Sequence, residues 1–163
     1  MRKKLFTIAL SAIMVIATAT PAFAKAFYPV GSSGSYLNLY GNSGIQGRPL
    51  SLYSQSTGPD QQFETIYQIA PGTNSYAWYF INSNYPAYAL NRRTNDARAI
   101  MWYLDKNSVY DSSLYNVTTY YPARIKLSNY NEYLCSIGNT SGSDVYFKSP
   151  SVYPLTEWNV TYD

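Results

Sequence analysis

The chain contains no histidine. That removes the Ser-His-Asp and Cys-His arrangements of nucleophilic catalysis and the commonest metal ligand. Its single cysteine, Cys135, and its scattered carboxylates do not make a zinc set. No glycine-rich phosphate loop is visible. Paired carboxylates are the catalytic chemistry that remains, because glycoside hydrolysis needs two of them flanking a sugar. Asp105 with Asp111 and Asp60 with Glu64 are the pairs at hand. Both read more simply as solvated turn residues, so the expectation is a protein that is not an enzyme and uses no cofactor and no metal. Asn116, Asn139 and Asn159 open glycosylation-type sequons. Two of these fall inside predicted strands and read as strand chemistry that recurs with the fold.

The first 24 residues have a different character. Arg2-Lys3-Lys4 is followed by an apolar run from Leu5 to Thr20 and by Pro21-Ala22-Phe23-Ala24, with small residues at the last and third-last positions. This is the pattern of a secretory signal peptide, with cleavage expected between Ala24 and Lys25. The apolar run falls short of the roughly 18–20 residues a membrane anchor needs. An exported, extracellular protein without membrane insertion is expected. Three of the 12 basic residues lie in this leader, and all 9 acidic residues follow it. The mature chain is therefore neutral and offers no basic surface for nucleic acid. The clustered Arg92, Arg93 and Arg98 sit beside Asp96 and read as a solvated loop. One thiol allows no internal disulfide. Cys135 is read as a small apolar strand residue, with intermolecular pairing as the alternative.

What must position any site is a repeat. Phe63, Tyr115 and Trp158 open three similar segments, recurring after 52 and 43 residues. Tyr36-Leu37-Asn38, Tyr88-Ala89-Leu90 and Tyr133-Leu134-Cys135 recur in step. So do Leu50 to Tyr53, Ile100 to Tyr103 and Val145 to Lys148. A period of this size means one supersecondary unit used three times. Helical periodicity is almost absent after the leader, and Gly, Pro, Asn, Ser and Asp punctuate short apolar runs. Strands are predicted over Tyr36–Tyr40, Leu50–Tyr53, Phe63–Ile69, Ala77–Ile81, Ala99–Leu104, Tyr115–Tyr120, Arg124–Leu127, Val145–Lys148 and Trp158–Tyr162. Loops are predicted over Gly41–Gly47, Gln55–Asp60, Pro71–Ser75, Asn91–Ala97 and Gly138–Asp144. Three units of about four strands (about 25–70, 71–121 and 122–163) make one all-β domain over residues 25–163, a β-trefoil. Phe63, Tyr115 and Trp158 should then point inward, followed by Ile66, Val117 and Val160. The extra residue between Phe63 and Ile66 means either a bulge in unit one or a register off by one. An immunoglobulin-like sandwich is the competing architecture, and it would not require a threefold repeat.

At these residues the chain resembles the ricin-B-type β-trefoil lectins. Asp60-Gln61-Gln62-Phe63 resembles that family's Q-x-W strand start, and Asn38 and Tyr53 stand where it carries a hydrogen-bonding residue and an aromatic platform. The resemblance implies a carbohydrate pocket of Asn38, Tyr53, Asp60 and Gln61. Tyr53 would offer a ring face to the C–H side of a pyranose, and the other three would offer fixed donors and acceptors to vicinal hydroxyls. The family prefers aspartate where Asn38 stands. Its glutamine motif is also largely structural, so Gln61 and Phe63 have a second reading as hairpin and core residues. Unit two replaces the motif with Ser112-Ser113-Leu114-Tyr115, with Tyr103 as candidate aromatic and Asn91 or its neighbour as the polar residue. Unit three has Leu155-Thr156-Glu157-Trp158 and Lys148 in place of the aromatic. Unit one is therefore the pocket expected to be complete. The function implied is an exported glycan-binding or polysaccharide-binding trefoil, the targeting partner of a toxin or hydrolase. The alternative is a trefoil that binds protein, such as a protease inhibitor presenting the loop Gln55–Asp60 or Asn91–Ala97 with Arg92-Arg93.

Overall fold

A computed structural model describes residues 25–40, 44–56, 58–114, 122–151 and 155–162. The expected leader, the strand expected over Tyr115–Tyr120 and the sequon at Asn116 lie outside these residues. Ten strands are present among them: β1 (Lys25–Pro29), β2 (Ser35–Leu39), β3 (Leu50–Ser54), β4 (Phe63–Ile69), β5 (Tyr76–Asn82), β6 (Tyr88–Arg92), β7 (Ala99–Tyr103), β8 (Tyr133–Ser136), β9 (Val145–Lys148) and β10 (Trp158–Tyr162). A short helix, α1 (Val109–Ser112), and a 3-10 turn over Pro59–Gln61 complete them. No helix among the described residues is long and apolar enough to cross a membrane.

The pairings close a barrel. β10 pairs with β1, β1 with β4 at Lys25–Phe63, and β4 with β5 along its length. The Leu114 amide donates to the Trp78 carbonyl on β5 (2.8 Å), and Leu114 bridges Leu127. Ala123 and Trp158 exchange backbone hydrogen bonds of 2.8 and 2.9 Å, returning the ring to β10. Three hairpins, β2–β3, β6–β7 and β8–β9, form the cap. Each unit also lends a loop to its neighbour's hairpin, through the bridges Pro49–Ile100, Arg98–Tyr146 and Ser51–Asp144. This is the β-trefoil.

The register corrects the alignment of unit two. Phe63 pairs with Lys25 and Asn82, and Trp158 with Ala123 and Pro29. The residue in the same relation to Trp78 and Leu127 is Leu114, not Tyr115. Likewise Leu37–Leu52, Leu90–Met101 and Leu134–Phe147 are equivalent pairs. Tyr53 therefore corresponds to Trp102 rather than Tyr103, and Tyr36 to Ala89 rather than Tyr88. The β4–β5 pairing runs without a bulge from Phe63–Asn82 to Ile69–Tyr76. Thr65 is thus the counterpart of Val160, and Ile66 turns to the other face, against a second apolar cluster of Tyr79, Ile81, Leu104 and Val109. The strand expected over Arg124–Leu127 is reduced to isolated bridges at Ala123, Lys126 and Leu127. The loop expected over Asn91–Ala97 gives up Asn91 and Arg92 to β6.

Strand alternation supplies the core. β2 buries Ser35, Leu37 and Leu39 and turns Tyr36 and Asn38 outward. One residue per unit from each element meets at the centre: Phe27, Phe80 and Ile125; Leu37, Leu90 and Leu134; Leu52, Met101 and Phe147; Phe63, Leu114 and Trp158. Phe63 stacks on Phe80 with ring centroids 5.3 Å apart, and Phe27 meets Phe80 edge-on at 5.0 Å. Such pairs add to the burial of aromatic area. The one described cysteine, Cys135, is free, so no disulfide among the described residues adds to this packing.

Candidate functional site

The turn before the fourth strand of a unit faces the outer side of that unit's hairpin. In unit one this gathers Asn38 from β2, Tyr53 from β3 and Asp60 from the 3-10 turn around a depression of about 370 Å³, completed by Tyr40, Ser56 and Gly58. Tyr53 is 54% exposed, so its ring is open to a ligand. The Asn38 amide nitrogen donates to the Leu39 carbonyl (2.8 Å), which fixes the side chain. Asp60 is held by the buried Arg48, with Nη1 3.4 Å from Oδ1, while Arg48 Nε donates to the Gly44 carbonyl. Buried charge demands such a partner.

Gln61 lies behind this depression. It is 1% exposed. Its Oε1 accepts from the Ser56 amide (2.7 Å), and its Nε2 donates to the Ser54 carbonyl (2.9 Å). It pins the end of β3 to the turn that carries Asp60. Gln61→Ala removes both bonds and leaves two backbone groups without their partner, which is expected to cost about 2–3 kcal/mol. Urea unfolding would read that loss directly.

In unit two the register puts Asn91, Trp102, Asp111 and Ser112 at the places of Asn38, Tyr53, Asp60 and Gln61. Asn91, Trp102 and Asp111 line a depression of about 690 Å³. Ser112, fully buried, accepts a 3.1 Å bond from the Asn91 amide nitrogen. Asp111 accepts from the Tyr130 hydroxyl (3.2 Å), and burial together with that carboxylate raises the Tyr130 pKa. Asp105, in the same depression, accepts from the amides of Asn107 (2.8 Å) and Ser108 (3.0 Å), which hold its carboxyl below the usual range. The expected aromatic, Tyr103, is also part of the lining, packed edge-on against Tyr88 at 5.7 Å. The aspartate could have been found in sequence: Asp60 precedes Phe63 by three residues, as Asp111 precedes Leu114. An aromatic landmark fixed on Tyr115 concealed it.

Unit three keeps none of the trio. Cys135, Lys148 and Leu155 take the three places, and buried Thr156 takes that of Gln61. Lys148 Nζ lies 5.5 Å from the Tyr146 ring. Cys135 is fully buried, and burial pushes its thiol up to about 11. A raised folded-state value means that the neutral thiol favours the fold at neutral pH, and that this contribution fades as pH rises from about 9 towards 11. Ellman's reagent is expected to leave Cys135 unmodified in the native protein at pH 8 and to modify it on unfolding, which a two-sample absorbance measurement checks.

The arginines considered for a protease cleft are engaged within the chain. Arg92 pairs with Glu132 (2.7 Å) and lies over the Tyr130 ring, 5.1 Å from its centroid. Arg93 Nε donates to Asp96 (2.8 Å), which holds that carboxyl near 2. No group of three or more His, Cys, Asp or Glu among the described residues could hold a metal ion.

The sequence matches no family model and no curated protein. Solved structures do match. ThreeFoil, a designed threefold-symmetric protein, is 16% identical, covering 85% of this chain and 97% of its own, with a TM-score of 0.65. The β-trefoil lectin of the Vibrio vulnificus hemolysin/cytolysin, solved with N-acetyl-D-lactosamine, is 12% identical over 87% of this chain and 96% of its own, with a TM-score of 0.57. The C-half of an earthworm R-type lectin, solved with GalNAc, is 13% identical over 86% and 99%, with a TM-score of 0.59. At these identities the likeness is one of fold, and the fold is the β-trefoil.

Proposed function

We propose that this chain is an exported, non-enzymatic β-trefoil that binds carbohydrate through its first two units, a module of the kind that brings a toxin or hydrolase to a glycan surface. The observation that carries this reading is the pair of symmetry-related depressions. Each sets a hairpin asparagine, an exposed aromatic and a turn aspartate around one opening, and the third unit has lost all three residue types together. An asparagine and an aspartate present fixed donors and acceptors to neighbouring hydroxyls, and the aromatic covers the apolar side of the ring. Shallow openings of this sort bind weakly one at a time and gain from two-point attachment to one glycan array. Similar trefoils solved with N-acetyl-D-lactosamine and GalNAc support the ligand class.

Binding without turnover fits Asp105. A glycosidase acid needs its pKa raised, so that it holds a proton near neutrality. Asp105 is displaced the other way by the two amides that bind it. The test is a glycan array followed by NMR titration with the best neutral ligand. The expected result is perturbation of the Tyr53 and Trp102 ring signals with no change at Lys148. Binding by no glycan on the array, or perturbation confined to unit three, would reject the proposal.

A further inference from the structure

The two depressions share a trio but not a size or a surround. The unit-one depression is about 370 Å³, and its lining among the described residues comes from unit one. The unit-two depression is about 690 Å³ and borrows a wall from its neighbour. Gln46 belongs to the unit-one loop that docks on β7, where the Gly47 amide donates to the Met101 carbonyl (2.8 Å). The Tyr103 amide donates to Gln46 Oε1 (2.7 Å), which fixes the side chain and leaves the Nε2 hydrogens as donors for a ligand. On the remaining sides Asn95 and Asn107, both exposed, add amides beyond the Asn91–Trp102–Asp111 trio.

From this asymmetry we infer that the unit-two depression takes an uncharged oligosaccharide of two or more rings, while the unit-one depression takes a single terminal ring. The inference rests on glycan binding at both depressions. Small-ligand sites run from about 300 to 1,000 Å³. Unit one stands at the bottom of that span and unit two has nearly twice the room. One ring stacks on Trp102, and the next reaches Gln46, Asn95 and Asn107. Charge excludes an acidic sugar. Arg92 and Arg93, the lining guanidiniums, are neutralised by Glu132 and Asp96, so neither is left to balance Asp105 and Asp111. A uronate or sialate would enter beside two carboxylates.

Single-site variants isolate each depression. Tyr53→Ala reports unit two, and Trp102→Ala reports unit one. Each is titrated calorimetrically with the mono-, di- and trisaccharide of the neutral sugar that the parent chain selects on an array, and with a sialylated form of the disaccharide. Tyr53→Ala is expected to bind the disaccharide at least about tenfold more tightly than the monosaccharide, and Trp102→Ala less than about threefold. Adding Asn107→Ala to Tyr53→Ala should reduce the disaccharide gain and leave monosaccharide affinity unchanged. Sialylation should abolish binding to Tyr53→Ala. Equal affinity for one and two rings in Tyr53→Ala, a length gain confined to Trp102→Ala, or tighter binding of the sialylated ligand would overturn the inference while leaving carbohydrate binding in place. Failure of the parent chain to bind any glycan would instead remove the reading beneath it.

Discussion

Trp158→Ala is expected to destabilise the domain by about 4–5 kcal/mol, the upper end of what removing a buried tryptophan costs. Three losses coincide at this residue. Its ring is fully buried in the central cluster, so the truncation leaves a large cavity. Its indole nitrogen donates to the Leu134 carbonyl (2.9 Å), which the change leaves without that donor inside the core. It also stands where β10 meets both β1 and Ala123, the position at which the barrel closes. A small domain has about 5–15 kcal/mol in total, so the loss takes from about a quarter to nearly all of that margin. Trp158→Phe keeps most of the apolar volume and loses the hydrogen bond, and should cost about half as much. Urea denaturation of the two variants beside the parent chain would check this, and a loss below about 2 kcal/mol for Trp158→Ala would contradict the central packing described.

Tyr53→Ala combined with Trp102→Ala is expected to abolish measurable glycan binding without unfolding the protein. Both rings are exposed, Tyr53 at 54% and Trp102 at 40%, and neither belongs to the central cluster. Surface changes of this kind usually move stability by less than about 0.5 kcal/mol. An aromatic anchor at the middle of a binding site is commonly worth 2 kcal/mol or more, or about 30-fold in affinity at each depression. Two weak sites acting together magnify the loss, because attachment by one depression no longer keeps the other near the glycan. The thermal midpoint and the response on a polyvalent glycan surface should separate. The first stays near the parent value and the second disappears. Binding that survives the double change would place the carbohydrate elsewhere on the molecule.

Much of this was readable from residue order. Three hairpins recur with their apolar pairs, and an amphipathic strand leaves a period of two that survives divergence. What failed was phase, not period. In unit two the inward position after the turn carries Leu114 rather than an aromatic, with Tyr115 beside it, and the hairpin offers Trp102 next to Tyr103. Choosing the wrong one of two neighbouring residues shifts the register by one. That slip hid the second depression, since Asn91, Trp102 and Asp111 align with Asn38, Tyr53 and Asp60 only in the observed register. β1, β6 and β8 are not among the predicted strands, and their place in the sheet is decided by the neighbours that pair with them. Gln61 is a subtler case. Its spacing is that of a site residue, but its two backbone bonds show that it positions Asp60 from behind.

The pairing of β1 with β10 sets Lys25 directly opposite Tyr162. Together with the three loop exchanges between neighbouring units, this makes the arrangement a closed circle of modules. A circularly permuted gene, joining these two residues through a short linker and opening the chain at the turn between β4 and β5, would still encode every barrel pairing and every hairpin described.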